Sequence, residues 1–318
     1  YIDFKHPKNN SFIAITQFKV NISGTEKHII PDIVLFVNGL PLVVVECKSP
    51  TIADPIGEAF TQLMRYSNRR GAKEGNEKLF WYNLFMVATS NQIAKHGTIT
   101  SEYEHFIEWK DPYPYSLSDI SEEGIITSQQ VLIQGMLSHD NLLEILHTFT
   151  LFKEDPKGGV IKVVPRYQQF RAVKKIVKRL KEGKTPEERG GIIWHTQGSG
   201  KSLTMMFTVR AMYHDSVLRN FKIVFVTDRI DLEKQLRETS KGVGYTVKPK
   251  KKGDINIEKL KELLRTDTPD LVMGMIHKFQ ERELKKEFPL LNESPNILIM
   301  IDEAHRTQYK ILGANLRK

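Results

Sequence analysis

Asp32, Glu46 and Lys48 form an aspartate followed by Glu-Xaa-Lys. Hydrolysis of a phosphodiester needs a divalent metal to polarise the phosphate and a positioned water. Two carboxylates are hard oxygen ligands suited to Mg2+, and a lysine beside them can offset developing charge or steer the water. Strand ends often carry carboxylates, so the triplet alone leaves a structural reading open. Gln62 and Tyr66 are four apart and share a helix face. Glu58 extends the same row, read as plain polar surface.

A second constellation lies further on, in His195-Thr196-Gln197-Gly198-Ser199-Gly200-Lys201-Ser202. Gly198 and Gly200 let the backbone curl around an anion, and Ser202 is expected to open a helix whose N-terminal dipole favours negative charge. Lys201 would reach the β- and γ-phosphates of ATP, and the Ser202 hydroxyl would bind Mg2+. His195 stands where the usual pattern has Gly or Ala. Asp302 and Glu303 follow an apolar run, at the strand end where α/β sheets bind ligands. Asp302 can hold Mg2+, and Glu303 can orient and deprotonate an attacking water.

The elements that must position these groups fall into two sets. In the first, residues 12–22 alternate as a strand. Residues 32–37 and 42–47 are apolar, β-branched runs flanking Asn38-Gly39, a hairpin signal. Residues 56–70 have helical spacing, 79–89 read as a strand, and 139–152 as a helix that Asn141 would cap. The polar, turn-rich stretch 154–159 is the expected domain boundary. Beyond it, 167–182 reads as a basic amphipathic helix, 191–195 as a short buried strand, and 202–214 as a helix. Strands are expected at 222–227, 271–275 and 297–301. Strands alternating with helices imply a parallel sheet. The basic run 248–253 reads as a charged loop.

Hairpin register decides whether Asp32 and Glu46 can act together. A two-residue Asn38-Gly39 turn pairs Val37 with Leu40, sets Asp32 opposite Val45, and sends Glu46 to the other face. An odd offset, from a three-residue loop or a bulge at Gly39, sets Asp32 opposite Glu46. The shared metal site requires the odd offset. Lys48, two residues on, shares the face of Glu46.

The 318 residues suffice for two domains. Apolar runs such as 41–45 and 297–301 are far short of a membrane span, and no basic-apolar-small leader opens the chain. Cys47 is the only cysteine, which excludes an internal disulfide and suits a reducing, cytoplasmic setting. The net charge of +9 fits a polyanionic partner or a solvated basic surface.

The Asp-Glu-Ala-His run resembles superfamily 2 helicases and translocases. Within that resemblance Arg166-Tyr167-Gln168 is similar to the element that reads adenine, with Gln168 as the hydrogen-bonding residue. Thr227-Asp228-Arg229 is similar to the motif lying along the nucleic-acid backbone. Gly274-Met275-Ile276-His277-Lys278-Phe279 sits where a threonine-bearing DNA contact is common, but lacks the threonine.

The first part resembles the nuclease domain of type I restriction enzyme R (HsdR) subunits. The resemblance runs through residues 10–18, 31–42 and Glu46-Cys47-Lys48, and through Gln62-Leu63-Met64-Arg65-Tyr66, similar to the Gln-xxx-Tyr element of RecB-like nucleases. The second part resembles the same subunit through residues 195–202 and 302–308, where His195 is no longer anomalous. The resemblance implies an α/β chain: a PD-(D/E)xK nuclease domain at 1–153, then a RecA-like P-loop lobe with a parallel sheet at 154–318. Asp32 and Glu46 would bind the nuclease Mg2+ and Lys48 would be catalytic, with Gln62 and Tyr66 supporting cleavage or DNA contact. Thr196, Gln197, Gly198, Ser199, Gly200, Lys201, Ser202, Asp302 and Gln168 would bind ATP, and Ser202 and Asp302 its Mg2+. Double-stranded DNA and the methyltransferase (M) and specificity (S) subunits are the implied partners. The Thr-Gly-Thr-Pro-like motif and the second motor lobe do not follow, so the expectation is a fragment with weak ATP binding and little turnover. The rival expectations are a helicase-like DNA-binding or scaffolding protein with an inactive first domain, and an ATP-binding regulator.

Overall fold

The computed structural model describes residues 1–71, 73–121, 124–155, 158–196, 198–227, 237, 247–249, 257–275 and 290–302. The chain divides into two compact units, Tyr1–Arg171 and Ala172–Lys318.

The first unit begins with β1 (Phe12–Thr16), then the ribbon of β2 (Val20–Asn21) and β3 (His28–Ile29). Gln17, at φ 51°, breaks the single strand expected over 12–22. Next come β4 (Ile33–Val37), β5 (Leu40–Cys47), the helix α1 (Pro55–Tyr66), β6 (Phe85–Ser90), β7 (Ile93–Gly97) and β8 (Ile107–Glu108). They form one sheet in the order β1-β4-β5-β6-β7-β8, in which only β5 and β6 run parallel. A parallel pair needs a crossover, and α1 supplies it. Asp54 caps α1, accepting from Gly57 N–H at 2.9 Å. Ile56, Ala59, Leu63 and Tyr66, at helical spacing, pack with Val34, Val44, Met86 and Ala88 of the sheet. Val34 and Phe36 of β4 and Val44 of β5 therefore face α1, as does every second residue onward from Val44. The strand expected over 79–89 is shorter, because Glu77–Phe80 forms a 3-10 turn before β6.

Three helices follow: α2 (Leu117–Ile120), α3 (Ser128–Met136) and α4 (His139–His147). The helix expected over 139–152 stops at His147. Thr150 Oγ1 donates to the Ile145 carbonyl at 2.8 Å, satisfying a terminal acceptor, and β9 (Leu151–Glu154) begins directly. Asn141 is not the cap, since Ser138 occupies that position. Its buried amide instead donates to the carbonyls of Tyr113 (2.6 Å) and Gly135 (2.7 Å). β9 pairs antiparallel with β10 (Val160–Val163). Then comes α5 (Tyr167–Glu182), within which the two units divide.

In the second unit, α6 (Pro186–Arg189) and α7 (Lys201–His214) precede β11 (Lys222–Thr227), β12 (Val247–Lys248), α8 (Ile257–Arg265), β13 (Leu271–Met275) and β14 (Ile297–Ile301). The sheet order is β12-β13-β11-β14 and every pair is parallel, as the strand–helix alternation predicts. β11 is buried throughout, as expected of a central strand under two covered faces. The expected strand at 191–195 does not form. Ile192 and Trp194 are 92% and 90% exposed, and no described strand hydrogen-bonds the segment. Apolar composition does not make a strand without a neighbour to complete its ladder. Lys248, read as the start of a charged loop, lies in β12 and pairs with Asp270 at 2.7 Å. Residues 250–253 lie outside the described residues.

Candidate active site

The first site is made by a fault in the β4–β5 ladder. Asn38 (φ 48°) and Gly39 (φ 82°) close a two-residue turn, and Val37 pairs with Leu40. That start alone would separate the carboxylates. The register then shifts: Phe36 pairs with Pro41, but Leu35 pairs with Val43. Leu42 is the extra residue. Pro41 has no N–H to give the ladder, and the freed Leu42 carbonyl accepts from Leu84 N–H at 2.6 Å. From there Ile33 faces Val45, and the row runs on to set Asp32 opposite Glu46. The odd offset is present, placed at Pro41-Leu42 rather than at Gly39.

Asp32, Glu46 and Lys48 consequently share the α1 side of the sheet. Lys48 Nζ donates to Glu46 Oε1 at 2.7 Å and to Gln62 Oε1 at 2.7 Å. Gln62 Nε2 donates to Tyr66 OH at 2.5 Å, and Tyr66 OH donates to the Ile30 carbonyl at 3.2 Å. All five residues singled out from the sequence meet here. Glu46 is 1% exposed, and its Oε2 is buried without a hydrogen-bond partner. Burial pushes its pKa up to about 7, with the Asp32 charge adding to the rise and Lys48 opposing it. Burial, and then the Glu46 charge, also raise the Tyr66 hydroxyl, which stays protonated and able to donate. The Cys47 thiol is raised by burial and by both carboxylates, so it is not an activated nucleophile.

The site residues fit a divalent cation. Two carboxylates converge, and one buried oxygen lacks any partner. Among the described residues no three or more His, Cys, Asp or Glu side chains gather as a metal cage. Mg2+ commonly keeps several waters on one or two carboxylates. A groove of about 660 Å³, lined by Glu58, Gln62, Arg65, Arg70 and Tyr103 among others, opens on the exposed face of α1 beside the site. Sequence reasoning missed three groups around Asp32 and Tyr66: the Gln17 amide, the Cys47 N–H and the Ile30 carbonyl. Each is set by strand pairing, which leaves no local sequence signal.

In the second unit, Gly198 (φ 76°) and Gly200 (φ 85°) take left-handed conformations that glycine adopts without strain. α7 begins at Lys201, one residue before the expected start. Ser199 Oγ donates to the Thr196 carbonyl at 2.7 Å, and Lys201 Nζ reaches the same oxygen at 3.5 Å. The loop thus curls ahead of a helix N-terminus with its lysine folded over it, an arrangement suited to a phosphate chain. Partial burial, and then the Lys201 charge, lower the His195 pKa, so that its ring is neutral at pH 7. Thr227 and Asp302 follow each other across the β11–β14 register at the C-terminal strand ends, where such sheets bind ligands. Asp302 N–H donates to the Val226 carbonyl at 3.0 Å. Gln168 lies in the first turn of α5, its Oε1 buried without a partner. Gln197, Asp228, Arg229, Glu303 and residues 276–279 lie outside the described residues.

A carboxylate–lysine site on a bulged hairpin, followed by a parallel α/β unit with a glycine loop ahead of a helix, defines a two-part protein: a nuclease-like region, then a motor-type ATPase region. Comparison with known proteins agrees. The family described as type I restriction enzyme R protein N terminus matches residues 1–105, and SWI2/SNF2 ATPase matches residues 168–318. The chain is 34% identical to the type I restriction enzyme HindI endonuclease subunit of Haemophilus influenzae, over 97% of this chain and 29% of that protein. It is 30% identical to the putative MjaIXP endonuclease subunit of Methanocaldococcus jannaschii, over 100% of this chain and 31% of that protein. A Staphylococcus aureus endonuclease subunit is 25% identical over 97% of this chain and 30% of its own length. The chain belongs to the type I restriction enzyme R-subunit family, and spans less than a third of these relatives' length. Among the described residues no helix is long and apolar enough to cross a membrane.

Proposed function

We propose that this chain cuts double-stranded DNA by Mg2+-dependent phosphodiester hydrolysis and belongs to an ATP-driven translocase. It would act in the cytoplasm within a type I restriction complex whose M and S subunits select the target. The observation that carries the reading is the bulge-dependent pairing of Asp32 with Glu46 under Lys48. Asp32 and Glu46 would hold Mg2+, which supplies Lewis-acid activation of the phosphate when bound. Lys48 sets a positive charge where charge develops on the phosphate. Gln62 and Tyr66 fix that ammonium in place, and Arg65 and Arg70 offer the neighbouring groove to the DNA backbone. We place the change from nuclease to motor function between residues 154 and 171.

ATP would lie on Thr196, Gln197, Gly198, Ser199, Gly200, Lys201 and Ser202, with Gln168 on adenine. Ser202 and Asp302 would hold its Mg2+, and Glu303 would activate water. Thr227, Asp228 and Arg229 would follow the DNA strand. The nuclease reading is tested by Asp32→Ala: Mg2+-dependent cleavage of plain duplex and Mn2+ binding by the chain are both expected to vanish. Cleavage at the wild-type rate would overturn it in favour of a helicase-like chain with an inactive first domain. The motor reading is tested by Lys201→Ala, expected to weaken binding of a fluorescent ATP analogue about tenfold to a hundredfold, the worth of one charge-assisted bond. Unchanged affinity would remove Lys201 from the phosphate site.

A further inference from the structure

Asp32 is gripped from two sides. Its Oδ2 accepts from Cys47 N–H at 2.8 Å, and its Oδ1 accepts from Gln17 Nε2 at 2.8 Å. The main-chain N–H of Gln17 also donates to the Asp32 carbonyl at 2.9 Å, so one residue holds both the backbone and the side chain of Asp32. Gln17 follows β1, whose register with β4 pairs Thr16 with Ile33 and brings 17 opposite 32. Residues 17, 32 and 46 therefore form a row across three strand ends. The Gln17 side chain is exposed, so core packing does not explain its placement. Its backbone sits at φ 51°, a left-handed conformation that costs a non-glycine residue about 1 kcal/mol or more. Such strain persists only where the surroundings demand it.

We infer that Gln17 is a positioning residue of the nuclease site. Its amide and the Cys47 N–H lock the Asp32 carboxylate in one orientation, each using one lone pair of a different oxygen. A second lone pair on each oxygen remains for a cation. Partners that fix a ligating carboxylate commonly matter about tenfold to a hundredfold in metal affinity. The inference rests on the reading of Asp32 as a metal ligand.

The test titrates Mn2+ into the full chain by electron paramagnetic resonance, alongside thermal unfolding. Gln17→Gly removes the amide and relieves the left-handed strain, so its unfolding temperature should equal or exceed that of the wild type. Gln17→Met keeps the side-chain length but not the donor. Both variants are expected to bind Mn2+ at least about tenfold more weakly. Wild-type Mn2+ affinity in both would overturn the inference. So would a loss that tracks a lower unfolding temperature in each variant, since that is a structural role alone. If the wild type itself binds no Mn2+, the metal-site reading fails first and the role of Gln17 fails with it.

Discussion

Lys48→Ala is expected to slow Mg2+-dependent cleavage by about two to three powers of ten, the usual cost of losing one preorganised charge-stabilising group. Initial rates on plasmid DNA at saturating Mg2+ measure it, with the unfolding temperature followed in parallel. The ammonium lies 2.7 Å from Glu46 Oε1 and is held by Gln62. It both positions charge for the phosphate and moderates Glu46. In the metal-free protein Glu46 titrates near 7 rather than at its ordinary 4.5, through burial first and despite Lys48. The folded state then binds more protons than the unfolded one between these values. Stability attributable to Glu46 is highest below about 4.5, falls as pH rises to about 7, and is level above. Removing Lys48 shifts the upper limit of that window to higher pH. Mg2+ requires ionised Glu46, so the rise of metal affinity with pH should move upward in the variant too. A variant that cleaves at the wild-type rate with an unmoved pH profile would exclude Lys48 from both roles.

The types of the reacting groups were legible in the sequence, while their meeting was legible only in part. Glu46 and Lys48 are two apart on a strand, and Gln62 and Tyr66 four apart on a helix, so each pair shares a face by local geometry. Asp32 is different, because its face depends on the parity of a ladder. Residues 42–45 read Leu-Val-Val-Val and are buried on both sides of the sheet, so no polar alternation marks which side each takes. In the sequence, Gly39 is therefore the residue that suggests a bulge. Asn38 and Gly39 instead close a regular turn, and the missing N–H of Pro41 is where the ladder gives way. Gln17 carries no local signal for a related reason: its contact with Asp32 follows from the β1–β4 register, between residues fifteen apart in the chain. The segment 191–195 shows the opposite error. Its Ile-Ile-Trp run has the composition of a buried strand, but a strand is a pairing, and composition does not supply the partner.

Pro41→Val is expected to abolish both Mn2+ binding and cleavage. Valine returns the N–H that Pro41 withholds from the ladder, so Leu42 pairs with Leu35 and the two-residue turn dictates the whole register. Asp32 then falls opposite Val45, and Glu46 turns away from α1. No carboxylate, lysine or amide of the site is mutated, only the parity that unites them. A substitution beside a buried strand segment can also damage the fold, so a compensating variant is needed. Deleting Leu42 from the Pro41→Val chain removes the extra residue and leaves a regular ladder, in which Val37 pairs with Leu40, Leu35 with Val43, and Asp32 again with Glu46. Mn2+ binding should return in this second variant although it is further from the natural sequence than the first. If Pro41→Val alone binds Mn2+ as tightly as the wild type, the missing N–H does not set the offset. If it loses binding and the deletion fails to restore it while the chain stays folded, the offset is not what builds the site.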